Sequence, residues 1–105
     1  MPTFGREHHF EGDLRRLKQV EREQFKAALK DFIESLLHWE ATGCPWPPPF
    51  PAALRIKDVS GYPGIWELTW ARDGRCTWRF GLPLLPNKSH IVWRRIGSHE
   101  IFKDP

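Results

Sequence analysis

The sequence predicts an α+β fold, an N-terminal helical hairpin packed on a three- to four-stranded antiparallel sheet, as a single domain over residues 1–105. Three observations predict it. Apolar residues recur at three- and four-residue steps as far as Trp39, prolines then interrupt the chain, and beyond them the apolar period changes to two. With 105 residues the chain has room for one hydrophobic core.

Each element has its own signal. Asp13 is a candidate N-cap for a first helix carrying Leu14, Leu17 and Val20. A longer stripe of Phe25, Ala28, Leu29, Phe32, Ile33, Leu36 and Leu37 marks one face of a helix from about Val20 to Trp39. Glu21, Glu23, Lys26, Lys30, Asp31 and Glu34 occupy its opposite face. Gly43 and Pro45 end it. No strong breaker lies around Lys18 to Arg22, so pattern alone leaves a hairpin and one bent helix both open. The stretch CPWPPPFP, residues 44–51, holds five prolines in eight positions and reads as an extended connector. Its Trp46 and Phe50 are suited to packing on their own domain.

Alternation then marks strands at Leu54–Ile56, at Trp66, Leu68 and Trp70, and at Cys76, Trp78 and Phe80. Arg72, Asp73 and Gly74 supply a hairpin turn, and SGYPG at 60–64 is turn chemistry. A last strand runs through Ile91, Val92 and Trp93 to Ile96. Met1 to Phe10 is polar and broken by Gly5, so a strand there is poorly written. The polar face of the sheet is expected to stay in water and to carry any function.

Composition excludes several classes. Sixteen Lys and Arg against thirteen Asp and Glu leave a net charge of +3, mildly basic. Six Trp, seven Phe and 40% apolar residues argue against disorder. No apolar run approaches the ~18 residues of a membrane span, and the first ten residues lack the apolar region of a secretory signal. Cys44 and Cys76 form no metal or disulfide framework and are expected to be small core residues in a reducing, cytoplasmic compartment. The adjacent His8 and His9 diverge on any regular element, so no metal site is expected.

Candidate chemistry lies in the second half. Arg75, Thr77 and Arg79 share a strand face, with Lys57 on an earlier strand and Arg95 on the last. Clustered guanidinium groups can cradle phosphate, although the same pattern also describes a solvated strand face. His99, in GSHEIF, is either an acid–base group or a surface histidine. Glu67, in WELTW, is either a base or half of a cross-strand ion pair. Trp93 is ambiguous between core and a ring for stacking on a base.

The order of these pieces, PGIWELTW, RCTWRFG and IVWRRIGSHEIF after two helices, resembles the RelE/ParE superfamily of bacterial toxins from type II toxin–antitoxin systems. The resemblance runs from about Phe10 to Lys103, with a tail like the YafQ branch and a WELT strand like HigB-type members. It implies a metal-independent, cofactor-free endoribonuclease that cleaves mRNA on the ribosome and is held by a cognate antitoxin. The free toxin would be a cytoplasmic monomer with no membrane partner. Under that resemblance Arg75 stabilises charge on phosphorus, and His99 exchanges a proton with the 2′-OH or the leaving 5′-oxygen. Phe102 stacks or orients the base, and Lys57, Arg79 and Arg95 hold flanking phosphates. RelE itself carries lysines where this chain has Glu67 and Thr69, which leaves Glu67 as a candidate base. The fold is equally compatible with a ParE-like inhibitor of DNA gyrase or a non-catalytic nucleic-acid-binding module.

Overall fold

Prolines 45 to 51 divide a helical half from a sheet half, and the computed structural model, described over residues 2–105, stacks one on the other. Strand β1 (Thr3–Arg6) leads into helices α1 (His8–Arg16) and α2 (Gln19–Thr42). After the connector come a 3-10 turn (Ala52–Leu54) and strands β2 (Lys57–Asp58), β3 (Trp66–Thr69), β4 (Gly74–Phe80) and β5 (His90–Ser98). A 3-10 segment (His99–Lys103) follows. The sheet order is β1-β5-β4-β3-β2. Strands β2 to β5 form an antiparallel meander, and β1 pairs parallel to β5 with Thr3 opposite His90.

The sheet is therefore five-stranded and mixed, one strand wider than its apolar pattern indicates. Thr3–Arg6 forms a strand despite its poor pattern, because an edge strand needs few apolar residues. Here Phe4 alone reaches the core cluster, stacking on Trp93 with ring centroids 6.1 Å apart. At the other edge, the strand expected at Leu54–Ile56 does not form: Leu54 ends the 3-10 turn, and Arg55 and Ile56 belong to no element. Arg55 adopts a left-handed backbone (φ 46°), which breaks the extended run and leaves only Lys57–Asp58 to pair with β3.

The helices do form two segments. They part at Leu17 and Lys18, both extended (ψ 140° and 162°), and Glu21 Oε1 accepts the Lys18 N–H at 2.8 Å. Gly43 ends α2 in the left-handed conformation (φ 66°). Asp13 is not a cap. It lies inside α1, only 6% exposed, and its carboxylate accepts from Arg95 Nε at 2.6 Å, Arg95 Nη2 at 3.2 Å, Arg16 Nη1 at 3.2 Å and the Ile96 N–H at 3.1 Å.

Between the layers, Phe32 of α2 meets Trp78 and Trp93 at 5.3 and 5.7 Å. Trp46 packs 4.8 Å from Trp39 and 5.7 Å from Trp78, so the proline connector does press onto its own domain. Trp93 is buried among Phe10, Phe25 and Phe32, which removes it as a base-stacking ring. Cys76 is a core residue as expected; Cys44 is only half-buried.

Strand β5 carries a bulge. Trp78 faces Trp93, yet Thr77 faces Arg95, so Arg94 is an extra residue. Beyond it the chain turns back across the sheet face away from the helices. Ile101 is buried against Gly97, where a Cβ would come within 3.1 Å of its methyl group. Arg95 Nη1 donates to the Asp104 carbonyl at 3.0 Å, and Arg94 holds the main-chain oxygen of Pro105 through Nε and Nη2 at 3.2 and 2.9 Å. That face, expected to stay in water, is thus partly covered, and Thr77 on it is fully buried.

Removing one member of a buried ion pair leaves the other charge uncompensated. Asp13→Ala is expected to lower unfolding free energy by about 3–5 kcal/mol, and Asp13→Asn by less because the amide oxygen still accepts the Ile96 N–H. Urea denaturation of the two variants beside wild type measures both.

Candidate functional site

Pleating on β3 and β4 sends Leu68, Cys76 and Trp78 toward the helices and Glu67, Thr69, Arg75 and Thr77 to the opposite face. The β3–β4 turn closes with Gly74 N–H donating to the Ala71 carbonyl and Trp70 N–H to the Gly74 carbonyl, both at 3.1 Å. Gly74 has a packing reason, since a Cβ there would fall 2.5 Å from the Trp70 ring. Across from it stands Ser98, whose hydroxyl accepts the Glu100 N–H at 3.3 Å and starts the 3-10 segment that carries His99.

This geometry gathers three groups at one corner of the sheet. Asp73 Oδ1 lies 2.7 Å from His99 Nδ1, with both side chains about two-thirds exposed. The hydrogen bond from His99 holds the Asp73 carboxyl below its ordinary range, and the nearby charge of Arg75 adds to the effect. Arg75 Nη1 curls over the turn and donates to the carbonyls of Gly74, Ala71 and Arg72 at 2.9, 3.1 and 3.3 Å. Arg75 and His99 thus bear on one carboxylate. By sequence Asp73 is only a turn residue, and nothing local pairs it with a histidine 26 positions away.

Glu67 stands opposite Lys57 on β2, their charged atoms 3.9 Å apart, which is the cross-strand pair the alternation allowed. Burial pushes its carboxyl up from the ordinary value, against the opposing pull of Lys57 and then Arg75.

The remaining basic candidates have other commitments. Arg79 Nε donates to Glu7 Oε2 at 3.1 Å, an oxygen it shares with Arg94 Nη1 at 3.0 Å. Arg95 is held by Asp13, and that bond pushes its already high pKa further up. Phe102 lies half-buried in the same 3-10 segment as His99. Among the described residues no cluster of three metal-ligating side chains forms, and no helix is long and apolar enough to cross a membrane.

The sign of the Glu67 shift gives a testable outcome. A carboxyl whose folded pKa lies above its unfolded one contributes stability below the unfolded value and loses it as pH rises through the folded value. Glu67→Gln is therefore expected to match or exceed wild-type stability at pH 7.5. The difference should shift in favour of wild type as pH falls below the ordinary glutamate range, which urea titrations at pH 7.5 and 4 would reveal.

No family profile and no curated protein matches the sequence. Solved structures do match the fold. The Escherichia coli DinJ–YafQ complex aligns with a TM-score of 0.61 at 17% identity, covering 95% of this chain and 96% of the matched one. The YoeB/ParE toxin from Agrobacterium tumefaciens aligns at 0.59 and 12% identity, covering 92% and 98%. The RelB–RelE antitoxin–toxin complex from Methanococcus jannaschii aligns at 0.54 and 14%, covering 95% of each chain. The fold is that of the RelE-like toxins.

Proposed function

We propose that this chain is a toxin of the RelE/ParE type, cleaving messenger RNA on the ribosome until a cognate antitoxin covers it. The observation that supports this reading is that His99 pairs with Asp73 in the turn whose flanking carbonyls Arg75 grips, so an imidazole and a guanidinium border one exposed turn. The fold likeness adds support, since the structures that share it include antitoxin–toxin complexes.

In this reading an RNA 2′-OH attacks the adjacent phosphorus, and the bond from phosphorus to the 5′-oxygen breaks. The products are a 2′,3′-cyclic phosphate and a free 5′-OH. Glu67, partly desolvated on the same sheet face as Arg75, takes the 2′-OH proton. His99 donates a proton to the departing 5′-oxygen. Its Nδ1 is held by Asp73, so Nε2 is the nitrogen that faces substrate and Asp73 orients the ring. Arg75, braced by the turn carbonyls, offers its remaining N–H groups to the charge that grows on the phosphoryl oxygens. Phe102 stacks on the base, and exposed Lys57 meets a neighbouring phosphate. Arg79 and Arg95 chiefly add to the positive field, because Glu7 and Asp13 already hold their forks.

Induced expression in a bacterial host is expected to arrest growth, and primer extension should map new 5′ ends within translated messages. Arg75→Ala and His99→Ala should each reduce cleavage by about 10²-fold or more. Growth arrest with intact messages and altered DNA supercoiling would instead identify a gyrase inhibitor. Salt-sensitive RNA binding indifferent to His99→Ala would identify a non-catalytic binding module.

A further inference from the structure

Arg75 stands at a boundary. Besides the Asp73–His99 corner, it lines a cleft of about 600 Å³ between α2 and the turn end of β3. Arg55 and Arg72 line the same cleft, with Trp70 at its side and Gln24 and Asp31 on the α2 wall. Among the described residues neither Arg55 nor Arg72 has an ion-pair partner, whereas Arg79, Arg94 and Arg95 are paired with carboxylates. The Trp70 indole N–H also lacks an acceptor among the described residues.

Arg55 has a second peculiarity. It adopts φ 46° and ψ 44° immediately after the 3-10 turn. Glycine occupies that backbone region without strain, and a long side chain does not. A strained arginine lining a cleft with two further arginines is an arrangement in which backbone comfort has been given up for the side chain's position.

We propose that this cleft is a binding subsite for the nucleotide next to the scissile phosphate in single-stranded RNA. The inference rests on the ribonuclease reading and deepens it. Arg55 and Arg72 take the phosphodiester, as forked guanidinium groups do. Gln24 and Asp31 lie on the opposite wall, where an amide and a carboxylate can take donors on a base edge, such as the amino group of cytosine. Continuity through Arg75 lets one RNA backbone run from the His99 corner into the cleft. An acidic peptide adding as a strand is the less suitable occupant, because the Ala52–Leu54 turn already packs along the β3 edge there.

The test uses uncleavable 2′-O-methyl RNA oligomers of two to six nucleotides, with binding followed by fluorescence anisotropy at several salt concentrations. Wild type should bind more tightly as length increases until the cleft is filled. Arg55→Gln/Arg72→Gln should lose that increment, about tenfold or more, while dinucleotide binding changes little. The slope of log affinity against log salt should fall by about 0.7 for the one phosphate no longer neutralised. Arg55→Gly separates binding from folding, since it should melt at or above wild type and still bind the longer oligomers more weakly. Wild-type binding by these variants at every length would overturn the subsite while leaving cleavage by Arg75 and His99 untouched. Failure of the wild-type protein to bind any oligomer would likewise overturn the subsite, whereas loss of the ribonuclease reading would show separately, as intact translated messages in primer extension.

Discussion

The geometry depends most on the single extra residue in β5. Trp93 must face the helices to meet Phe32 and Trp78, and Ile96 must do so to pair with Cys76. Three steps separate Trp93 from Ile96, and a regular strand would put one of them on the wrong face. The bulge at Arg94 resolves the conflict and shifts the pairing beyond it by one. Without it Gly97 would stand opposite Gly74, and Ser98 would no longer start the segment carrying His99 beside the β3–β4 turn. A packing requirement in the core thereby decides which side chains meet at an exposed corner.

The same shift explains how the charges are used. Neighbouring Arg94 and Arg95 reach different anchors, Arg94 joining Glu7 and the Pro105 oxygen and Arg95 joining buried Asp13. These pairs lock α1 and the last residues onto the sheet. The Asp13–Arg95 pair is the buried one, so losing either partner there leaves a costly unpaired charge, whereas the half-exposed Glu7 contacts count for less. The modest net charge is therefore distributed unequally. Arg79, Arg94 and Arg95 are paired with the early acidic residues, while among the described residues Arg55, Arg72 and Arg75 around the β3–β4 turn form no ion pair.

Carboxylates divide along the same line. Asp13 receives four hydrogen bonds within its reach, whereas Asp73 is held at the surface by one imidazole. Exposure makes the second arrangement adaptable, because a surface hydrogen bond can give way to a ligand at little cost. Glu67 is intermediate, buried enough to resist ionisation and near enough to Lys57 and Arg75 to feel their charge.

Local rules were sufficient to determine the long helix, its stop at Gly43, the β3–β4 hairpin and the buried parity of Leu68, Cys76 and Trp78. Each follows from dihedral preference or periodicity within a few residues. The same rules singled out Arg75, His99 and Glu67 as candidates without showing that they share a neighbourhood. Tertiary structure alone decided the parallel edge strand at Thr3–Arg6, the conversion of Asp13 from apparent cap to buried anchor, the covering of the sheet face by residues 99–105, and the pairing of Asp73 with His99. All four join residues far apart in the chain. Pairing partners of that kind are set by how layers close over one core, which no local period encodes.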